Sequence, residues 1–249
     1  MRKFKLFIIS ILLLSEFSFT QTPSVIRNIR IPLWAELDAF PGLFEDFSET
    51  EDYKTNENYE NQEENTVKTD LESGIYDYPI NSIKEVAPFL INGMVYGWSF
   101  TYTPSDKARG VDEYLEVTEL YDQSYILAGI HYASPWIQNN RFNCWCEFNR
   151  NEAQIQYYNL WNSIQNPVIH GRGYGDLTLG FEGIRNAAED SLKEAVRAYY
   201  RNLIKNKPKE ISGKVLIKNQ PTMGIDSGRY VINLDFFLEC DRIIEYKSF

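Results

Sequence analysis

Apolar and aromatic residues alternate with polar ones in the first strongly patterned stretch of the chain, residues 94–103. The positions that would share one face are Met94, Tyr96, Trp98, Phe100 and Tyr102. A period of two over this length, rich in aromatic residues, predicts a strand with one buried face. Weaker strand patterns follow at residues 114–120 and 124–133, and the stretch RFNCWCEFNR at residues 141–150 predicts the next strand.

The spacing of apolar residues then changes to that of helices. Residues 153–164 place their apolar side chains on one helical stripe, with Asn151 available as the N-cap. A longer stripe, with steps of three and four residues, runs from Ile184 to Ile204, and Pro208 marks its end. Residues 213–219 and 229–244 predict two further strands, separated by a turn at 223–228.

This order of elements, with strands grouped ahead of helices, predicts an α+β fold. We expect a mainly antiparallel sheet with a long amphipathic helix and a shorter one packed on one face. A β-hairpin should close the C-terminus.

The N-terminus has the pattern of a secretory signal peptide. Arg2, Lys3 and Lys5 precede an apolar run at residues 6–14, and small residues lie just before Gln21. The run is shorter than the roughly 20 residues that a membrane span needs. We therefore expect residues 1–20 to be removed and the protein to be periplasmic or secreted, without stable membrane insertion. Retention of the peptide as an uncleaved anchor is the alternative.

Negative charge is concentrated in one segment of a chain whose net charge is −10. Residues 45–72 contain eleven acidic side chains against Lys54 and Lys68, with few apolar residues. Such a segment cannot bury enough apolar surface to offset the entropy of ordering it. The sequence thus predicts a signal peptide at 1–20, a short apolar N-terminal segment at 21–47, a disordered acidic linker at 48–73, and a single α+β domain at 74–249. The apolar segment either docks back on the domain or binds a partner.

The glycine-rich stretch 171–183 is the best candidate for a ligand-binding loop. Gly171, Gly173, Gly175 and Gly183 precede or begin the long helix, where backbone N–H groups can face an anion, and Arg172 would add paired hydrogen bonds. The spacing matches neither phosphate-binding motif. A turn that lets the chain pass close to the sheet is the alternative.

Trp145 is a second candidate for ligand binding, because it points away from the face of Phe142, Cys144, Cys146 and Phe148. It would be either a half-exposed aromatic that stacks on a sugar or a residue beneath a helix. The candidate carboxylates for a pair that hydrolyses glycosides are Glu113, Glu116, Glu119, Asp122, Glu147, Asp235 and Glu239. The sequence does not rank them.

The three cysteines all fall on the apolar side of their predicted strands. Cys144 and Cys146 have the spacing C-x-C rather than the C-x-x-C of redox motifs. Because secretion permits disulfides, we expect Cys240 to pair with Cys144 or Cys146 if their strands are neighbours. His131 and His170 stand in no metal-binding spacing, so no metal and no cofactor are predicted.

These features favour a non-enzymatic envelope or periplasmic domain that binds a protein or glycan partner. The acidic balance opposes nucleic-acid binding, since such a surface would repel phosphates. Two alternatives remain open. One is a glycan- or cell-wall-acting hydrolase with a carboxylate pair, and the other is a module that senses small anions through the 171–183 loop.

Overall fold

The computed structural model describes residues 27–37 and 76–246 and shows nine strands and four α-helices in those ranges. The strands are β1 (Asn28–Glu36), β2 (Trp98–Thr103), β3 (Tyr114–Glu119), β4 (Ile130–Gln138), β5 (Arg141–Asn149), β6 (Val168–Asp176), β7 (Glu210–Ile217), β8 (Thr222–Asp226) and β9 (Arg229–Ile244). The helices are α1 (Asp77–Val95), α2 (Ser124–Leu127), α3 (Glu152–Trp161) and α4 (Phe181–Leu203), and a 3-10 turn at Leu177–Leu179 leads into α4.

The strands form two antiparallel sheets. The large sheet has the order β3-β2-β7-β9-β6, and β8 pairs with β9 as the last hairpin of the chain. Ser227 and Gly228 make its turn with φ of 53° and 72°, the left-handed pair that tight hairpins require. The small sheet has the order β1-β5-β4. The α+β class, the antiparallel pairing and the closing hairpin are confirmed.

The N-terminal segment contributes an edge strand to the small sheet. β1 pairs along its whole length with β5, from Asn28 opposite Asn149 to Glu36 opposite Arg141. Ile29, Ile31 and Leu33 alternate into the core, where each is at most 3% exposed. Residues 28–36 therefore dock back on the domain, as one of the two alternatives held. The predicted signal peptide and acidic linker lie outside the described residues.

Helix α1 lies between the two sheets and corrects the predicted strand at 94–103. It contacts β1 and β5 on one side and β7 and α4 on the other, and every residue from Val86 to Val95 is buried. A helix covered on all sides has no polar stripe, so the sequence does not show the helical spacing of apolar residues. The strand begins only at Trp98, whose ring stacks on Phe89 with centroids 5.0 Å apart. Similarly, the predicted strand at 124–133 divides into α2 and β4.

Helix α4 packs directly on strand β6 through backbone contact. A Cβ atom added at Gly171 would lie 1.8 Å from the Ser191 carbonyl oxygen, and one at Gly173 would lie 2.0 Å from the Ala187 oxygen. At Gly175 the same atom would lie 1.8 Å from the Gly183 oxygen. The predicted loop is thus a strand, and its glycines remove the side chains that would hold the helix away.

Helix α3 begins at the predicted N-cap and covers the other face of the large sheet. The Asn151 side chain accepts from the backbone N–H of Gln154, and the Gln154 side chain accepts from that of Asn151, a complete capping box. Trp161 packs with Leu216 and Phe237 in a separate apolar cluster. Leu216 alternates with core residues along β7, so α3 and α4 lie on opposite faces rather than together on one.

Candidate functional site: a cationic cavity at the end of helix α4

A cavity of about 370 Å³ opens where α4 ends beside strands β2 and β7. Four of its lining residues are cationic and one, Glu113, is acidic. The lining residues are Tyr102, Pro104, Ser105, Glu113, Arg197, Tyr200, Arg201, Ile204, Lys205, Lys207, Pro208 and Ile211. In a chain with a net charge of −10, such a concentration of positive charge in a concave site favours anionic ligands.

The local sequence explains how the cations come together. Arg197 and Arg201 are four residues apart on α4 and therefore share a face. Ile204 leaves the helix with extended backbone, at φ −111° and ψ 116°, so the chain turns and brings Lys205 and Lys207 to the same cavity. Pro208, which the sequence marks as the end of the helix, is buried behind them.

One wall of the cavity is a hydrogen-bonded network. The Tyr102 hydroxyl donates to Glu113 Oε1 at 2.6 Å, and Arg197 donates to Glu113 Oε2 at 3.1 Å. Burial, together with the hydrogen bond to Glu113, raises the pKa of Tyr102, so its hydroxyl stays protonated. A hydrogen bond to Glu194 raises the pKa of Arg197. Both groups are thus held in the protonated form in which they donate.

The remaining cations are available to a ligand. Lys207 Nζ donates to the Ser105 carbonyl oxygen at 2.8 Å, a neutral partner that leaves its charge uncompensated. Arg201 and Lys205 are exposed, and neither forms an ion pair with any residue in the described ranges. The cavity therefore has cations at its mouth whose charge is not balanced by any carboxylate of residues 27–37 or 76–246.

The inner surface of the cavity is apolar. Ile211 is fully buried, and Tyr102 and Tyr200 are 2% and 5% exposed. Ile204 is half-buried and adds a further aliphatic side chain to the lining. A ligand with an anionic group and an apolar group could thus place the first beside the cations at the mouth and the second against the apolar floor.

The predicted anion site at 171–183 has a different geometry. Gly173 and Gly175 pair with β9 and face the backbone of α4, so they do not line a loop at the helix N-terminus. Arg172 forms an ion pair with Asp226 at 2.8 Å and lies 5.4 Å from the Tyr174 ring. It lines a separate cavity of about 360 Å³ whose other charged residues include Asp190 and Glu194. These acids oppose an anion there.

Trp145 lies half-buried on the outer face of the small sheet. The Arg30 guanidinium lies 4.1 Å from its ring centroid, and the Trp136 ring lies 5.9 Å away. Arg30 in turn pairs with Glu147 at 2.9 Å. Trp145 is therefore covered on one side by an arginine rather than by a helix of the described chain.

Three of the candidate carboxylates lie apart from one another. Glu113 belongs to the cavity network, Glu147 binds Arg30, and Asp235 accepts from Asn219 at 2.6 Å and lies 2.6 Å from His170 Nδ1. Each of these three already has a polar partner, and they belong to different sheets or faces. Across residues 27–37 and 76–246, no three His, Cys, Asp or Glu side chains converge as metal ligands.

The predicted disulfide does not form. Cys144 and Cys146 lie on β5 of the small sheet and Cys240 on β9 of the large one, and all three are free thiols. Cys240 is also exposed, contrary to the predicted apolar side. β9 bulges against β7 directly after Cys240, and residues 239–243 are exposed. The strand alternation that predicted a buried Cys240 ends there.

Sequence reasoning missed the cationic cavity, although a signal was present. Arg197, Arg201 and Lys205 recur at steps of four, and Lys207 and Lys209 follow. The apolar stripe of the long helix predicts its core face, whereas this basic stripe lies near its end on exposed positions. Tyr102 and Glu113 come from distant parts of the chain, and no local pattern links them to it.

None of the helices in the described ranges combines the length and apolar composition needed to cross a membrane. No solved structure matches the chain. An uncharacterized protein of Treponema pallidum (strain Nichols) is 25% identical over 227 residues, which cover 89% of this chain and 83% of that protein. A protein-family model matches residues 17–246, and the chain therefore belongs to that family.

Proposed function

We propose that this is an exported, non-enzymatic binding protein that holds a small organic anion in the cationic cavity. The observation that carries the proposal is the pairing of unbalanced cations at the mouth with an apolar floor. Arg201 and Lys205 supply charge, and Tyr102 and Ile211 supply apolar surface. A carboxylate or phosphate group attached to a hydrocarbon or aryl body fits both parts.

The chemistry of the wall favours binding over reaction. Tyr102 is held protonated, and Glu113 already accepts from both Tyr102 and Arg197. Neither group is therefore poised to abstract a proton from a ligand. Protonated donors that converge on one cavity are the arrangement that holds an anion by charge-assisted hydrogen bonds.

Export is part of the proposal and rests on the N-terminal pattern of residues 1–20. A periplasmic or secreted binding protein would meet small anions or envelope components outside the cytoplasm. The mass of the mature protein tests this point, since cleavage before Gln21 removes the first 20 residues. A mature protein that still carries Met1 and Arg2 would contradict cleavage.

Calorimetric titration with matched probes tests the binding site. Octanoate and octyl phosphate carry both an anionic group and an apolar chain, whereas inorganic phosphate lacks the chain and octanol lacks the charge. We expect the two amphipathic anions to bind at least about tenfold more tightly than either control probe. Each lost charge-assisted bond is worth roughly 1.5 kcal/mol or more, which corresponds to about tenfold in Kd.

A matched pair of double variants locates the site. Arg201→Ala with Lys205→Ala should weaken octanoate binding by at least about tenfold, because both unbalanced cations are lost. Arg172→Ala with Lys218→Ala removes the same charge elsewhere on the domain and should leave the affinity unchanged. Equal affinity in the wild type and both variants would refute binding in the cationic cavity. A loss confined to the second variant would place the binding site at Arg172 instead.

A further inference from the structure

The two cysteines of β5 lie side by side beneath a solvent-reaching cavity that the proposed anion site does not use. Cys144 and Cys146 both face the core and are 5% and 0% exposed. They lie two positions apart on the same buried face of β5, and their thiols share a hydrogen bond. The C-x-C spacing on a strand therefore places two soft donor atoms on one side of the strand.

An irregularity in β4 opens a path to this pair. The pairing of β4 with β5 shifts between Ala133 and Trp136, and Ser134 has a φ of 48°. The bulge lies opposite Cys144, whose sulfur is 3.6 Å from the Ala133 carbonyl oxygen. Strained bulges of this kind occur preferentially next to functional sites.

The path is a cavity of about 170 Å³ that ends at Cys144. Its lining residues are Ile80, Ile83, Lys84, Tyr132, Pro135, Phe142 and Cys144. Lys84 and Pro135 are exposed, so the cavity reaches the surface, while Ile83 and Phe142 are buried and keep its inner end apolar. The only charged residue that lines it, within the described chain, is Lys84.

We propose that Cys144 and Cys146 form a two-thiolate site for a soft monovalent metal ion, of which Cu(I) is the biologically common example. Soft thiolates select such ions over hard cations. Two-coordinate binding needs no further ligand, which suits a pair with no third His, Cys, Asp or Glu side chain nearby in the described residues. Zn²⁺ requires four ligands and should not compete.

The proton balance of the site follows from its chemistry. Each thiol releases one proton, and the two thiolates with one monovalent ion carry a net charge of −1, which Lys84 at the mouth can offset. Cys144 lines the cavity and is therefore the thiol that an entering ion meets first.

Competition for Cu(I) against the chelator bicinchoninate, under anaerobic conditions and with the full chain, tests the site. We expect one Cu(I) per wild-type chain. Cys144→Ser or Cys146→Ser should weaken binding by at least about a hundredfold, since a single thiolate remains. Cys240→Ser removes the exposed third thiol and should bind as the wild type does. Wild-type affinity in a Cys144→Ala, Cys146→Ala double variant, or loss of binding in Cys240→Ser, would overturn the proposal.

A measurement on the wild type avoids dependence on variants that fail to fold. Native alkylation, mapped by peptide mass, should modify Cys144 and Cys240 in the metal-free protein and only Cys240 after loading with Cu(I). Zn²⁺ at the same concentration should give no protection. Protection of Cys240 alone would overturn the assignment, and so would a disulfide between Cys144 and Cys146 in protein purified without oxidant.

Discussion

Replacement of Gly173 by alanine would test whether α4 is held on β6 by backbone contact. The new Cβ atom would lie 2.0 Å from the Ala187 oxygen, whereas ordinary contacts begin at 3.4 Å, so the helix must move by the difference of about 1.4 Å. Ser191 N lies 2.1 Å from the same point, so the helix cannot avoid the atom by a local side-chain adjustment. Overpacking that flexible side chains absorb costs about 1–3 kcal/mol, and here backbone must yield. We expect a loss of about 3 kcal/mol or more.

Urea unfolding measures this loss. For a slope of about 2 kcal/mol per molar urea, 3 kcal/mol lowers the midpoint by about 1.5 M with little change in slope. Gly224→Ala is the matched control, because its Cβ would meet only Val231 Cγ1 at 3.4 Å and its backbone has no positive φ. That change should be neutral or stabilise by up to about 1 kcal/mol. If the free energy of unfolding of Gly173→Ala lies within about 0.5 kcal/mol of that of the control, the close helix–strand contact is refuted.

Two further predictions concern stability. Asn151→Ala should lower the free energy of unfolding by about 1 kcal/mol, because it removes the capping box of α3. Asn162→Ala, at the other end of the helix, should have little effect. Equal losses in the two variants would contradict this. Burial raises the pKa of Tyr132 and Tyr230 to about 12. The unfolded chain releases these protons near pH 10, so stability is complete below pH 10 and falls as the pH rises towards 12. The last part of the tyrosinate absorbance should therefore develop together with unfolding, and full ionisation of a still-folded chain by pH 11 would contradict it.

The elements that the sequence predicted well are those with one buried face and one solvent-exposed face. α4, α3 and β5 each alternate between buried and exposed residues at their own period, and their bounds follow from that pattern. The sequence did not predict α1, because this helix contacts both sheets and has no solvent-exposed face along its second half. Its Pro88, a residue that disfavours helix interiors, further hides it.

The candidate site was harder to predict than the fold, because its parts meet only after the chain has folded. The Arg197–Glu113 ion pair joins residues 84 positions apart, and Lys207 reaches Ser105 across 102 positions. The glycines of β6 suggest a ligand-binding loop in the sequence, because glycine permits both loop formation and close packing of a strand against a helix. Only the position of α4 distinguishes the two.

The pairing of β1 with β5 has a consequence for the order of folding. β1 is the first of the described strands to be synthesised, yet Glu36 can pair with Arg141 only after 105 further residues have been made. The closure entropy of so long a loop rises slowly with length, by about 0.6 kcal/mol per doubling, but non-local pairing of this kind slows folding. Until β1 arrives, one edge of β5 is open and accepts the same strand from another copy equally well. Concentrated refolding should therefore yield strand-exchanged dimers, and dilution should suppress them.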